Sequence, residues 1–226
     1  PDARSMKSRG AGVVGYNVQT AVDTKHHLIV AHEVTNTGSD RRQLANMAKQ
    51  AKAVLATESL AAVADRGYYR SEELRDCAEA NIETYLPKPK TSPNRAKGQF
   101  DRDAFRYIAE DDEYECPAGQ RLVYHTTIQE GGKSVSRYWT NKCRMCNIKA
   151  QCTSGAYRKM TRWEHEEVLE KAQARLDRSP DMMRIRRATV EHPFGTLKAW
   201  MGSTHFLTRT LDRVSTEMSL HVLAYN

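Results

Sequence analysis

No stretch of the 226 residues approaches the roughly 20 consecutive apolar side chains needed to cross a bilayer, so no membrane-spanning helix is expected. Pro1-Asp2-Ala3-Arg4 has no apolar core, which argues against a secretory signal. Without an initiator Met, the chain is expected to begin inside a longer protein. Cysteine is scarce. Five are present, four of them between Cys116 and Cys152. They are too few and too clustered for a secreted disulfide scaffold, and a cytoplasmic protein with a metal site is expected instead. No internal repeat is present, and a length of 226 residues fits one large domain or one domain with an insertion.

Hydrophobic residues make up 39%, enough for a core under a polar surface. The net charge is +7, and +6 of it lies in residues 87–159. Such a basic excess favours a polyanionic partner without specifying one.

Residues 1–12 are polar and read as an incoming linker. Gly15 to Asp23 alternates, Thr24-Lys25 turns, and His26 to Val34 returns, which predicts an antiparallel hairpin. Leu44, Met47, Ala48, Ala51 and Leu55 recur at helical spacing. Leu60-Ala61-Ala62-Val63-Ala64 is too short for a helix and reads as a buried strand, stopped at Gly67. Ser71 with Glu72 and Glu73 opens another helix, and Asn81 to Leu86 is a strand ended by Pro87. From Pro87-Lys88-Pro89 the chain turns polar and Cys-bearing. Helices are expected again from Thr161 to about Leu176, from Ser179-Pro180-Asp181 through Leu197, and from Leu211 to Ala224. This order predicts an α/β fold with a mixed sheet and flanking helices. Its core is residues 1–86 and 160–226, interrupted by a four-cysteine subdomain over 87–159.

Asp65 follows the apolar run directly. It should sit at the C-terminal end of a core strand, where α/β sheets commonly place ligand-binding residues. An acid capping the next helix or pairing with Arg66 is the plainer alternative. Arg187 and Glu191 are four apart on one helix face, and Lys198, two turns on, continues that stripe. An exposed row of ion pairs would give the same spacing, but Pro193 frees a carbonyl that such a row has no reason to tolerate. Cys116, the pair Cys143 and Cys146, and Cys152 match a four-thiolate structural zinc site, with an iron–sulfur cluster as the rival. Cys77 lies on a helical apolar face and reads as core. The aromatics interleaved with the basic charge of 87–159 fit either a small core or a DNA-contacting surface.

These motifs together resemble the DDE transposases of bacterial insertion sequences, in the subgroup with a Cys-rich insertion. The likeness runs over nearly the whole chain. It includes Gly15-Tyr16-Asn17-x-Gln19, Glu33-Val34-Thr35-Asn36, Asp40, Ala64-Asp65-Arg66-Gly67-Tyr68 and Cys116-Pro117-x-Gly119. Further on come Arg187-x3-Glu191-x6-Lys198, Phe194-Gly195-x-Leu197 and the closing Leu223-Ala224-x-Asn226. The resemblance implies a ribonuclease-H-like catalytic core whose carboxylates hold two Mg²⁺ (or Mn²⁺) ions for phosphodiester cleavage and strand transfer in DNA transposition. It matches Asp65 to the second acid and Glu191 to the third, so their carboxylates are expected within about 8 Å of each other. It places Arg187 and Lys198 on DNA phosphates, with Arg184, Arg66 and Tyr68 beside them. Many relatives carry Tyr where this chain has Arg184. The first acid, on the first core strand, has no counterpart here, and the chain is expected not to cut or join DNA by itself. The implied partners are double-stranded DNA (terminal inverted repeats and target) and further copies of the chain on that DNA. The implied location is the bacterial cytoplasm, on the nucleoid when bound. The alternative readings are a catalytically inactive DNA-binding remnant of a transposase and a metal-dependent nuclease of the same fold.

Overall fold

Alternating side chains in Asn17–Val22 and Ile29–Thr35 build the hairpin on which the first unit packs. The computed structural model describes residues 2–8 and 11–226, which fall into two compact units, 1–88 with 168–226 and 89–167.

The first unit opens with β1 (Arg4–Ser8) and β2 (Ala11–Gly15), antiparallel, with Met6 opposite Val13. This pair corrects the linker expected over residues 1–12. Backbone pairing rather than burial holds it, since Val13 and Val14 are both exposed. The hairpin follows as β3 (Asn17–Val22) and β4 (Ile29–Thr35), with Gln19 opposite Glu33. A register shift between Ala21 and Val22 reverses the facing of the strand end. Ala31 therefore packs with Met47 and Ala51, while Ile29 and Val34 join Leu197, Val214, Met218 and Val222.

Helix α1 (Leu44–Val54) comes next, its Ala45 N–H donating to the Glu73 carboxylate at 2.9 Å. β5 (Leu60–Val63), α2 (Ser71–Glu79) and β6 (Ile82–Tyr85) form a strand–helix–strand unit, with β5 and β6 parallel from Leu60 opposite Ile82 to Val63 opposite Tyr85. The chain is thus mixed α/β, with parallel and antiparallel pairs. In place of one mixed sheet, the described residues of this unit form three two-stranded ladders, β1–β2, β3–β4 and β5–β6. Among the described residues the edges of β3 and β5 do not pair. Gln19–Thr24 and Leu60–Ala64 line the two sides of one cleft, together with Leu44, Met47, Ala48 and Ala51.

The second unit contains α3 (Pro93–Ala96), β7 (Arg106–Ile108), β8 (Glu113–Glu115), β9 (Arg121–Glu130), β10 (Lys133–Trp139) and β11 (Met160–Trp163). The strands form an antiparallel sheet in the order β11-β10-β9-β8-β7. Phe105, Tyr114, Leu122, Tyr138, Cys152 and Met160 form its core. The aromatics thus divide, with Phe105, Tyr114 and Tyr138 buried and Tyr124 exposed. β11 corrects the helix expected from Thr161. Met160 and Trp163 are buried, with Met160 opposite Tyr138. Glu166 accepts the Trp163 N–H at 3.3 Å and pairs with Arg102 at 3.0 Å, so the helix begins only there.

α4 (Glu166–Arg178) leads into the rest of the first unit: α5 (Met182–Gly195), a π-helical turn (Thr196–Trp200) and α6 (Leu211–Tyr225). The Asn226 amide closes the chain on β4, accepting from the Ile29 N–H at 2.9 Å and donating to the Ile29 carbonyl at 3.0 Å. Among the described residues no helix is long and apolar enough to cross a membrane.

Candidate active site

β5 delivers Asp65 to its C-terminal end. The ladder continues one residue past the strand, through the Ala64 N–H to the Tyr85 carbonyl at 3.1 Å. Asp65 is extended, at φ −85° and ψ 174°, and caps a short 3₁₀ turn over Arg66–Tyr68. Its Oδ1 accepts the Gly67 N–H at 2.7 Å. A Cβ at position 67 would lie 2.9 Å from that oxygen, so a side chain there would push the carboxylate out of this bond. Asp65 is therefore a capping acid at one oxygen, of a 3₁₀ turn rather than of the next helix, whose N-cap is Arg70. The other, Oδ2, faces Arg186 Nη2 of α5 at 3.0 Å.

A second acid is held nearby. Tyr68 OH donates to Gln19 Oε1 at 2.6 Å, and Gln19 Nε2 donates to Asp40 Oδ1 at 2.7 Å. Asn17 Nδ2 donates to the same oxygen at 2.7 Å. Gln19 is 2% exposed, so this chain of bonds is largely sealed from water. Burial, and then the negative charges of Asp40 and Asp65, push the Tyr68 hydroxyl far above its usual range, while Arg186 opposes them. Tyr68 is a fixed neutral donor, with its hydroxyl committed to Gln19.

Helix α5 supplies the opposite wall. Thr189 and Pro193 are buried, and Arg186, Thr189 and Val190 line the cleft beside β3 and β5. Arg187 and Glu191 are exposed. Glu191 is carried about 140° round the helix from Arg186, at roughly 100° per residue. It makes no hydrogen bond or ion pair among the described residues. Arg66 and Arg187 are likewise exposed without such partners. Arg184 pairs with Asp181 at 3.2 Å, and Lys198 Nζ lies 5.8 Å from the Phe194 ring centroid. Pro193 sits within α5, and the widened turn after it is closed by the Met201 N–H to the Thr196 carbonyl at 3.0 Å. That turn moves Lys198 off the straight stripe expected from seven-residue spacing.

A family model described as the transposase DDE domain matches residues 1–226, the whole chain. The chain belongs to the transposase DDE domain family. No curated protein and no solved structure matches it. Membership makes this a DNA phosphoryl-transfer family, and DDE transposases typically use Mg²⁺ or Mn²⁺.

As arranged, this DDE domain does not fit a divalent ion at Asp65. Both carboxylate oxygens have partners, and one partner is a cation. Among the described residues no three His, Cys, Asp or Glu side chains converge closely enough to hold a metal. Asp65 meets Arg186 of α5, and Glu191 lies five residues further along the same helix. Spacing pointed to Arg187, Glu191 and Lys198, and overlooked Arg186. The burial of Thr189 and Pro193, three and seven residues on, puts Arg186 on the inward face, and no apolar stripe in the sequence marks it.

The cysteines of the second unit share a place without forming a ligand group. Cys116, Cys143, Cys146 and Cys152 all line one cavity, with Phe100, Phe105 and Leu122. The turn after Cys116 closes through the Gly119 N–H to the Cys116 carbonyl at 2.8 Å. All four thiols are free, and burial raises that of Cys152. The convergence expected for bound zinc is not met among these residues. Cys77 is fully buried in the first unit, its thiol pushed up to about 12 by burial.

Proposed function

We propose that this chain acts in DNA transposition, in phosphodiester cleavage and strand transfer, with Asp65 and Glu191 as its acids. The observation that carries the reading is a partly exposed carboxylate at a strand end facing a cationic helix. The Asp65 side chain is 46% exposed, and α5 presents Arg184, Arg186 and Arg187. Phosphates are drawn to such a face, and Asp65 lies against it with its carboxylate held by Arg186. Arg187, Lys198 and Arg66 are exposed and suited to phosphate contacts that position duplex DNA without reading its sequence. Tyr68 acts from behind, by fixing the turn that carries Asp65.

A nicking assay on supercoiled DNA in Mn²⁺ tests the reading. Any nicking should be lost in both Asp65→Asn and Glu191→Ala, and nicking that survives both would contradict it. DNA binding with no nicking fits both a domain that lacks its first acid and the second reading, an inactive DNA-binding remnant, which the Asp65–Arg186 pair also supports. In the second unit, four soft thiols on one cavity suit a structural Zn²⁺, provided the sulfurs draw together on binding. Elemental analysis returning no zinc, or iron with visible absorbance, would remove that proposal.

A further inference from the structure

We infer that Arg186 is a built-in counter-cation that keeps Asp65 closed to a divalent ion and gives it up when DNA phosphate takes its place. The inference rests on the reading of Asp65 as a phosphoryl-transfer acid.

Three observations carry it. The Arg186 guanidinium lies 3.0 Å from Asp65 Oδ2, where a hard divalent cation would need that oxygen. The other oxygen is already tied to the Gly67 N–H. Neither side chain is sealed in: Asp65 is 46% exposed and Arg186 25%, so both ions and phosphates can reach the pair. The disagreement between an acid suited to metal and a site that does not fit one then has a local cause, because the position is taken.

An ordinary fastening of α5 to β5 is the plain alternative. Pairs this exposed contribute little to stability, so fastening is a weak reason for placing Arg there. Release is readily supplied. Arg187 is the next residue on α5, exposed and unpaired among the described residues, so duplex DNA arriving on this helix brings phosphate close to Arg186. The guanidinium fork suits phosphate as well as carboxylate, often through two parallel bonds. Moving it from Asp65 to phosphate frees the acid at the moment the substrate is present. Because the coupling is thermodynamic, it is reciprocal: DNA tightens ion binding, and the ion tightens DNA binding.

The test is Mn²⁺ titration of the whole chain, by calorimetry or by electron paramagnetic resonance, with and without a short duplex. Four proteins are compared: wild type, Arg186→Gln, Arg186→Lys and Asp65→Asn. Arg186→Gln should bind Mn²⁺ on the order of tenfold more tightly than wild type, since a positive charge beside the ion is gone. Arg186→Lys, which keeps the charge, should stay near wild type. Duplex DNA should tighten Mn²⁺ binding in wild type and leave Arg186→Gln unchanged, which a merely structural role would not produce. Equal affinities in wild type and Arg186→Gln, both lost in Asp65→Asn, would overturn the lock and leave Asp65 as an ion-binding acid. No Asp65-dependent binding in any of the proteins would overturn both.

Discussion

Gln19 connects more of this site than any residue whose type suggests chemistry. It accepts from Tyr68 and donates to Asp40 while almost wholly buried. Gln19→Leu should lower stability by about 1–3 kcal/mol in urea denaturation, because it leaves the Tyr68 hydroxyl without an acceptor. Adding Tyr68→Phe should cost less than it does alone, since both ends of one bond are then removed together. Additive losses would show that the bond is not coupled. The strand-end position of Asp65 was legible from sequence, because an apolar run too short for a helix stops at an acid and a glycine, whereas its pairing with Arg186 was not. Gln19 and Asp40 were visible only as parts of a motif. Their pairing joins residues 21 apart through side chains, and local spacing carries no trace of such a contact.

At the scale of elements, α5 and the turn after it decide what faces the sheet. Leu197 is 4% exposed and clusters with Val214, Met218, Ile29 and Val34, whereas Trp200, three residues on in the same π-helical turn, is 89% exposed. Leu197→Ala should therefore cost about 2–5 kcal/mol, and Trp200→Ala should stay within about 0.5 kcal/mol in the same denaturation series. Equal effects would mean that the turn is rotated from the arrangement described. The stripe Arg187, Glu191, Lys198 was drawn on a straight helix, and the inward face lay one residue away, at Arg186. Elsewhere the periodic elements were legible: the hairpin, α1, β5, α2 and β6 all lie where alternation or helical spacing put them. Two segments misled. Residues 4–8 are polar and only backbone pairing makes them a strand, and Met160–Trp163 looks like a helix start until its pairing with β10 is known. In both cases the deciding partner is another strand, which local composition does not reveal.

For the whole molecule, the basic excess is the property most directly tied to a polyanionic partner. Its distribution separates two roles. Most of the net charge lies in residues 87–159, while the cations of the candidate site are few, with Arg186 paired to Asp65 and Arg187 and Lys198 exposed on α5 and the turn that follows. The central claim is that this small group meets DNA. It is tested most directly by the salt dependence of duplex affinity in wild type, Arg187→Ala and Lys198→Ala. Each substitution should weaken binding to all sequences alike and flatten the log–log slope by about one unit, the loss of about one phosphate contact. Slopes unchanged by both substitutions would contradict the account, and would place the DNA away from Asp65.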